Sequence, residues 1–147
     1  MTEAPRSKYV KVLFDVENEK GEVLIESLWA IPVSNGYELD NIPFHAREVA
    51  CHDVVSAQAD DGGALRYTGL NVASGHSTIR LWFADNSDVP AVRNHLREMG
   101  CSSELDVPRL VAVDVPPSIP YAKVRAYLDQ QEAAKVFEYE EACIGQE

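Results

Sequence analysis

The sequence predicts an α+β fold: a small N-terminal β-barrel or β-sandwich packed on a C-terminal ferredoxin-like half of order βαββαβ. Three observations predict it. Before residue 76, short alternating strands are separated by turn signals, with no convincing helix. After it, two helical patterns interrupt the strands in the order of a split βαβ unit. Neither a Pro/Gly/Ser-rich linker nor an internal repeat divides the 147 residues, which match one ordinary domain. The expected division is 1–75 for the all-β half and 76–147 for the ferredoxin-like half, packed as one compact unit.

Tyr9–Glu17 alternates and is rich in Val, Leu and Phe, so it reads as a strand. Asn18-Glu19-Lys20-Gly21 turns the chain, and Val23–Val33 returns as the second arm of a hairpin. Pro32 suits an edge or a strand exit. Asn35-Gly36 is a turn, and Gly36–Asn41 a short strand that runs into Ile42-Pro43-Phe44. Asp53–Ala59 and Leu65–Val72 flank Asp60-Asp61-Gly62-Gly63 as a second hairpin. His76–Ala84 reads as a strand. Ser87-Asp88-Val89-Pro90 has helix-start chemistry, a capping side chain and a proline in the first turn. Val89, Val92, Leu96 and Met99 fall at helical spacing, and Gly100 ends the helix. Ser102–Val107 and Leu110–Val115 read as strands, the latter fully buried. A second helix starts near Pro120 with Val124, Tyr127 and Leu128 on one face. Val136–Cys143 reads as the last strand, alternating Phe137 and Tyr139 with Glu138 and Glu140. In such a sheet both helices lie on one face, and the other face is expected to pack on the N-terminal strands. Trp29, Tyr37 and Trp82 lie in apolar strands and read as core.

Composition removes several classes of function. Hydrophobic residues make 46% and charged residues 25%, a globular balance. Lys+Arg number 13 against Asp+Glu 24, a net charge of −11. So acidic a surface repels phosphate backbones and anionic lipid, which excludes nucleic acid and membrane surfaces as expected partners. The charge is spread evenly: residues 1–75 carry 6 basic and 12 acidic side chains, residues 76–147 carry 7 and 12. It belongs to the whole surface and suits either plain solubility or a basic protein partner. No apolar run reaches the roughly 18 residues of a membrane span. MTEAPRSKYV does not read as a signal peptide. Cys51, Cys101 and Cys143 are odd in number and widely spaced, as expected of free thiols in a cytoplasm.

Glu26-Ser27-Leu28-Trp29-Ala30, Tyr37–Phe44 and Asp53-Val54-Val55 resemble an uncharacterised bacterial family, domain-of-unknown-function family 4265. Ser74-Gly75-His76-Ser77-Thr78 and Tyr139-Glu140-Glu141-Ala142-Cys143 are similar to it as well, so the resemblance runs from about residue 9 to 145. Leu39–Phe44 is its most specific part. The family has no established activity, so the resemblance implies no catalytic residues.

Four segments are candidate sites, each with a plainer structural reading. Asp40-Asn41-Ile42-Pro43-Phe44 reads as a turn in which Asn or Asp bonds its own backbone, Pro fixes φ and Phe plugs the core. It would otherwise be a rigid loop offering Asp40, Asn41 and His45 to a ligand. His45 with Cys51-His52-Asp53 has metal-ligand and nucleophile residue types. However, neighbours on extended backbone point apart, and no zinc spacing is present, so no metal or cofactor is expected. The plainer reading is a small buried Cys and an exposed His. His76 beside Ser77 and Thr78 could form a Ser–His pair oriented by Asp53 or Asp85, but it lacks a nucleophile elbow and reads as a strand-entry turn. Glu138 and Glu140 share a strand face, where paired carboxylates either split their pKa values or simply face water.

Two functions follow as expectations. The first is a non-enzymatic, cytoplasmic protein-binding module meeting a basic partner through its acidic surface. An immunity-type inhibitor of a basic toxin is the concrete version. The second is a small enzyme or ligand-binding protein using Asn41, His45, Asp53 and His76 between the two halves. The second requires a cleft of roughly 300–1,000 Å³ where these groups converge.

Overall fold

The computed structural model describes residues 8–146. Two sheets and two helices build it, a mixed α+β architecture. Strands β1 (Val10–Glu17), β2 (Val23–Val33), β3 (Gly36–Leu39), β4 (Val54–Ala59) and β5 (Leu65–Val72) pair as successive antiparallel neighbours. The sheet closes on itself where β1 meets β5 in parallel, at Val12 against Leu65 and Leu13 against Arg66. Alternation explains the ring: Val12, Phe14, Leu28, Ala30, Leu39 and Val55 point inward and are buried, while their neighbours face out. The glycine turn is as predicted, with Asp60 Oδ1 accepting the N–H groups of Gly62 and Ala64.

The second half follows the predicted order: β6 (Ser77–Phe83), α1 (Val89–Met99), β7 (Ser102–Leu105), β8 (Leu110–Val115), α2 (Tyr121–Ala133), β9 (Phe137–Cys143). Its sheet is antiparallel in the order β7-β8-β6-β9. Ile79, Leu81, Val111, Val113 and Phe137 pack with Val92 and Leu96 of α1 and Val124 and Leu128 of α2. All six residues of β8 are buried, as its unbroken apolar run requires. The capping side chain lies upstream of the predicted start. Asp85 Oδ1 accepts the Ser87 N–H ahead of a single 3-10 turn at Asn86–Asp88, whereas Asp88, the N-cap of α1, makes no side-chain cap.

The second face of this sheet is covered differently from expectation. Thr78 and Arg80 point to it, and both are buried. Their partners lie not in the ring strands but in the β3–β4 connection. Thr78 Oγ1 donates to the Val49 carbonyl at 3.3 Å, and Arg80 Nη2 donates to the Ala46 carbonyl. Ala46, Val49 and Ala50 are buried there. Glu26 of β2 holds the same connection from the ring side. Its carboxylate accepts the N–H groups of Phe44, His45 and Ala46 at 2.7, 3.1 and 2.8 Å. A carboxylate with three N–H donors meets most of its hydrogen-bonding capacity at once.

Two residues expected in the core are half exposed: Trp29 at 45% and Trp82 at 49%. Each alternates with buried neighbours, so period alone could not exclude an outward position. Lys11 places its ammonium 4.9 Å from the Trp29 ring centre, a cation–π contact on the outer face. Tyr37 does pack against the ring core.

Candidate functional site at the junction of the two halves

The residues around the end of the β3–β4 connection meet those that open β6. Asp53 is buried, and both its oxygens are engaged. Oδ2 accepts the Ala50 N–H at 2.9 Å; Oδ1 accepts the Ser74 N–H and hydroxyl, each at 2.8 Å. Asp53 is thus a clamp between the connection and the strand leading to β6, and it does not orient His76. Asp85, the other orienting candidate, lies past the opposite end of β6 and is occupied there as a cap.

The orienting carboxylate is Asp114, the next-to-last residue of buried β8. Thr78 and Asp114 are paired in register, which puts Asp114 beside the start of β6. His76 Nδ1 lies 2.8 Å from one Asp114 oxygen and 3.0 Å from the other. Burial raises the Asp114 carboxyl above its ordinary range, and the hydrogen bond and charge of His76 act against that rise. In sequence Asp114 is one residue of an apolar run. A carboxylate in a fully buried strand is the signal that would have marked it.

His52 completes the group. Its ring meets that of His76 edge-on at 5.0 Å, and its Nδ1 lies 3.2 Å from Glu38 Oε2. The backbone there is not extended, which corrects the geometric objection to convergence. His52 has φ +70, a left-handed conformation uncommon outside glycine. Its N–H donates to the Leu39 carbonyl at 2.8 Å. Cys51 is half-buried, and burial followed by the charge of Asp114 pushes its thiol up to about 12. Cys143 is pushed up to about 11. Neither thiol is an activated nucleophile. Ser77 and Thr78 do not serve His76: Ser77 Oγ accepts the Gly145 N–H, and Thr78 bonds Val49.

His76 opens into a pocket of about 370 Å³ whose lining includes Glu48, Asp53, Gly75, Glu141 and Cys143. The Gly145 wall is tight. A Cβ there would collide with the His76 carbonyl and the Gly75 backbone. Among the described residues no lysine or arginine lines this pocket. Among the described residues no group of three or more His, Cys, Asp or Glu is arranged to hold a metal ion.

The remaining candidates lie elsewhere. His45 approaches Asp106 at 4.0 Å, away from His76. Asp40 is exposed, with its N–H on the Trp29 carbonyl, and Asn41 Oδ1 accepts the Trp29 N–H at 2.6 Å. Asn41 therefore caps a neighbouring strand rather than its own turn. Phe44 is half-buried, and Ile42 fills the interior instead. Glu138 and Glu140 do share a strand face, opposite Trp82 and Arg80. Glu140 is not simply solvated, since it accepts from the buried Arg80 at 2.9 Å.

A two-sheet α+β chain with a His–Asp pair at its junction defines a class without fixing a reaction. The family model described as Domain of unknown function (DUF4265) matches residues 26–139, and the chain belongs to that family. A solved structure of a hypothetical protein from Neisseria gonorrhoeae is similar in fold, with a TM-score of 0.82 at 23% identity, covering 94% of this chain and 96% of that one. No curated protein matches.

Proposed function

We propose that the junction pocket binds a small, positively charged ligand, with His76 as the residue that contacts it. The observation that carries this reading is the His76–Asp114 pair opening into a pocket lined by three carboxylates and, among the described residues, no lysine or arginine. Asp114 holds Nδ1 of His76, and in the tautomer that carries its proton on Nδ1 the ring offers Nε2 as an acceptor. An ammonium or guanidinium N–H is the complementary donor, and exposed Glu48 and Glu141 supply the opposing charge. Should the ligand react, the same Nε2 is the atom that would take a proton, stabilised by Asp114 behind it. Spermidine and agmatine are suitable probes for isothermal titration. Saturable binding that His76→Ala removes, while Asp61→Asn on a distant turn leaves it intact, supports the site. Equal binding by wild type and His76→Ala sinks it.

A second reading is a protein-binding module, of the immunity type or otherwise, that meets a basic partner in the cytoplasm. A charge of −11 over both halves favours it, as do the exposed aliphatic residues Val23, Leu24 and Ile25. Three free cysteines suit a reducing compartment. Absence of a complex with the neighbouring gene's product on size exclusion at low salt would remove the immunity version. For the fold, we propose that the five-stranded ring is a small barrel and that residues 76–147 are a ferredoxin-like unit. Support comes from a strand order which, read β9-β6-β8-β7, is the alternation of a split βαβ pair.

A further inference from the structure

The first half of β2 combines features that a solvent-facing strand normally avoids. Val23, Leu24 and Ile25 are consecutive large aliphatics, exposed at 62%, 50% and 55%. Runs of that kind belong to a contact surface or are a liability. The backbone edge beside them is also open. Trp29 turns its N–H and C=O away from β1, towards Asn41 and Asp40. The β1–β2 register runs unbroken from Glu17 against Val23 to Val10 against Ala30. Alternation therefore turns the N–H and C=O of Val23, Ile25 and Ser27 to the same side as those of Trp29. Strand β3 pairs only from Ala30 onward, so among the described residues nothing pairs with that stretch of edge. Natural proteins usually block such an edge with lysine, proline or a bulge, and none of these interrupts Val23–Ser27.

We propose that this edge receives an extended, basic segment of another protein, added as a further strand beside Val23–Ser27. Charge chooses the occupant. Asp15 and Glu17, the β1 partners of Ile25 and Val23, and Glu19 and Glu22 of the turn make this end of the hairpin acidic, with Lys20 the one cation in the turn; Arg66 is already paired with Asp15 and Asp60. A second copy of the chain would bring the same carboxylates against one another. A segment alternating lysine or arginine with aliphatics makes backbone bonds to Val23, Ile25 and Ser27 and apolar contacts on one face. Its cations then face the acidic rim. Further along the same outer face, Lys11 already covers Trp29. This surface deepens the protein-binding reading and is independent of the His76 pocket.

The test uses a short peptide alternating lysine and valine, followed by amide chemical shifts and by titration calorimetry. Ile25→Pro removes one outward N–H without touching the β1 ladder. Expected are shifts centred on Val23, Ile25 and Ser27 and binding weakened about tenfold in Ile25→Pro, the order expected for one backbone hydrogen bond with its packing. Ile25→Lys keeps the backbone donor and should weaken binding comparably through charge. A glutamate–valine peptide should not bind. Binding that survives both variants overturns the edge but leaves a basic partner possible. Failure of the lysine–valine peptide to bind overturns the edge as well. A dimer by light scattering that Ile25→Lys dissociates overturns it in favour of a second copy.

Discussion

Asp114 is costly where it sits. Burial holds its carboxyl above the usual carboxylate range, and His76 opposes this only in part. The native state then keeps a proton that the unfolded chain has already released. Stability from this position is greatest below the unfolded pKa and declines as pH rises through the raised folded value. Exposed Asp60 and Asp85 act in the opposite sense, held low by the Arg66 side chain and the Ser87 backbone. Their stabilisation is lost as pH falls through their depressed values. Asp114→Asn removes one titration and leaves those two in place. The difference in unfolding free energy, variant minus wild type, should therefore rise across the window above the ordinary carboxylate range and then level off. Urea unfolding at stepped pH measures it, and a difference independent of pH would contradict the assignment. The same residue marks a limit of reading from sequence. His76 and Asp53 stood out as polar residues among turns, whereas Asp114 was hidden inside LVAVDV because its strand was correctly read as core. The hydrogen-bonding partner of a histidine can sit where the pattern is most apolar, since only tertiary pairing brings β8 beside β6.

At the scale of elements, the two helices end in the same way on different residues. After α1, Gly100 has φ +102 and the Cys101 N–H returns to the Leu96 carbonyl at 2.9 Å. After α2, Lys135 has φ +63 and the Val136 N–H returns to the Gln131 carbonyl at 3.0 Å. Both are left-handed caps closed by a bond spanning five residues. The first was legible because glycine announces it. The second was not, because lysine occupies a position that glycine favours, so the sequence marks a start for this helix near Pro120 but no end. Gly100→Ala should cost about 1–2 kcal/mol from backbone conformation alone. It should cost more in practice, because the new Cβ would stand 2.8 Å from Ile119 Cδ1. Lys135→Gly should add about 1 kcal/mol by the converse argument. Denaturant midpoints for the two variants should move in opposite directions. A Lys135→Gly variant less stable than wild type would show that the lysine side chain contributes more than its backbone strain costs.

At the scale of the molecule, the strands of both halves were readable and the piece joining them was not. Residues 40–53 carry no periodic pattern, so they appeared in sequence as turns and isolated polar motifs. In the fold they form the layer between the ring and the four-stranded sheet. Glu26 grips that layer from the ring, accepting three N–H groups at Phe44, His45 and Ala46. Arg80 grips it from the sheet through the Ala46 carbonyl while paired with Glu140. Burial lowers the Arg80 pKa, and the charges of Glu140 and Glu26 oppose that only in part. Arg80 Nε is buried without a partner, which leaves this guanidinium dependent on the contacts it does make. Arg80→Ala leaves the Ala46 carbonyl without its donor while half-exposed Glu140 turns to water, and should cost about 1–3 kcal/mol. Glu26→Ala orphans three donors, at about 1–3 kcal/mol for each that stays buried. Because both side chains hold Ala46, one from its N–H and one from its carbonyl, their losses should not add. Once either grip is gone the layer can shift, and the second truncation then removes less. A double-mutant cycle should give a coupling of about 0.5–3 kcal/mol in that direction. Strict additivity would mean that each half holds the connection independently, and that the ring and the sheet are joined elsewhere.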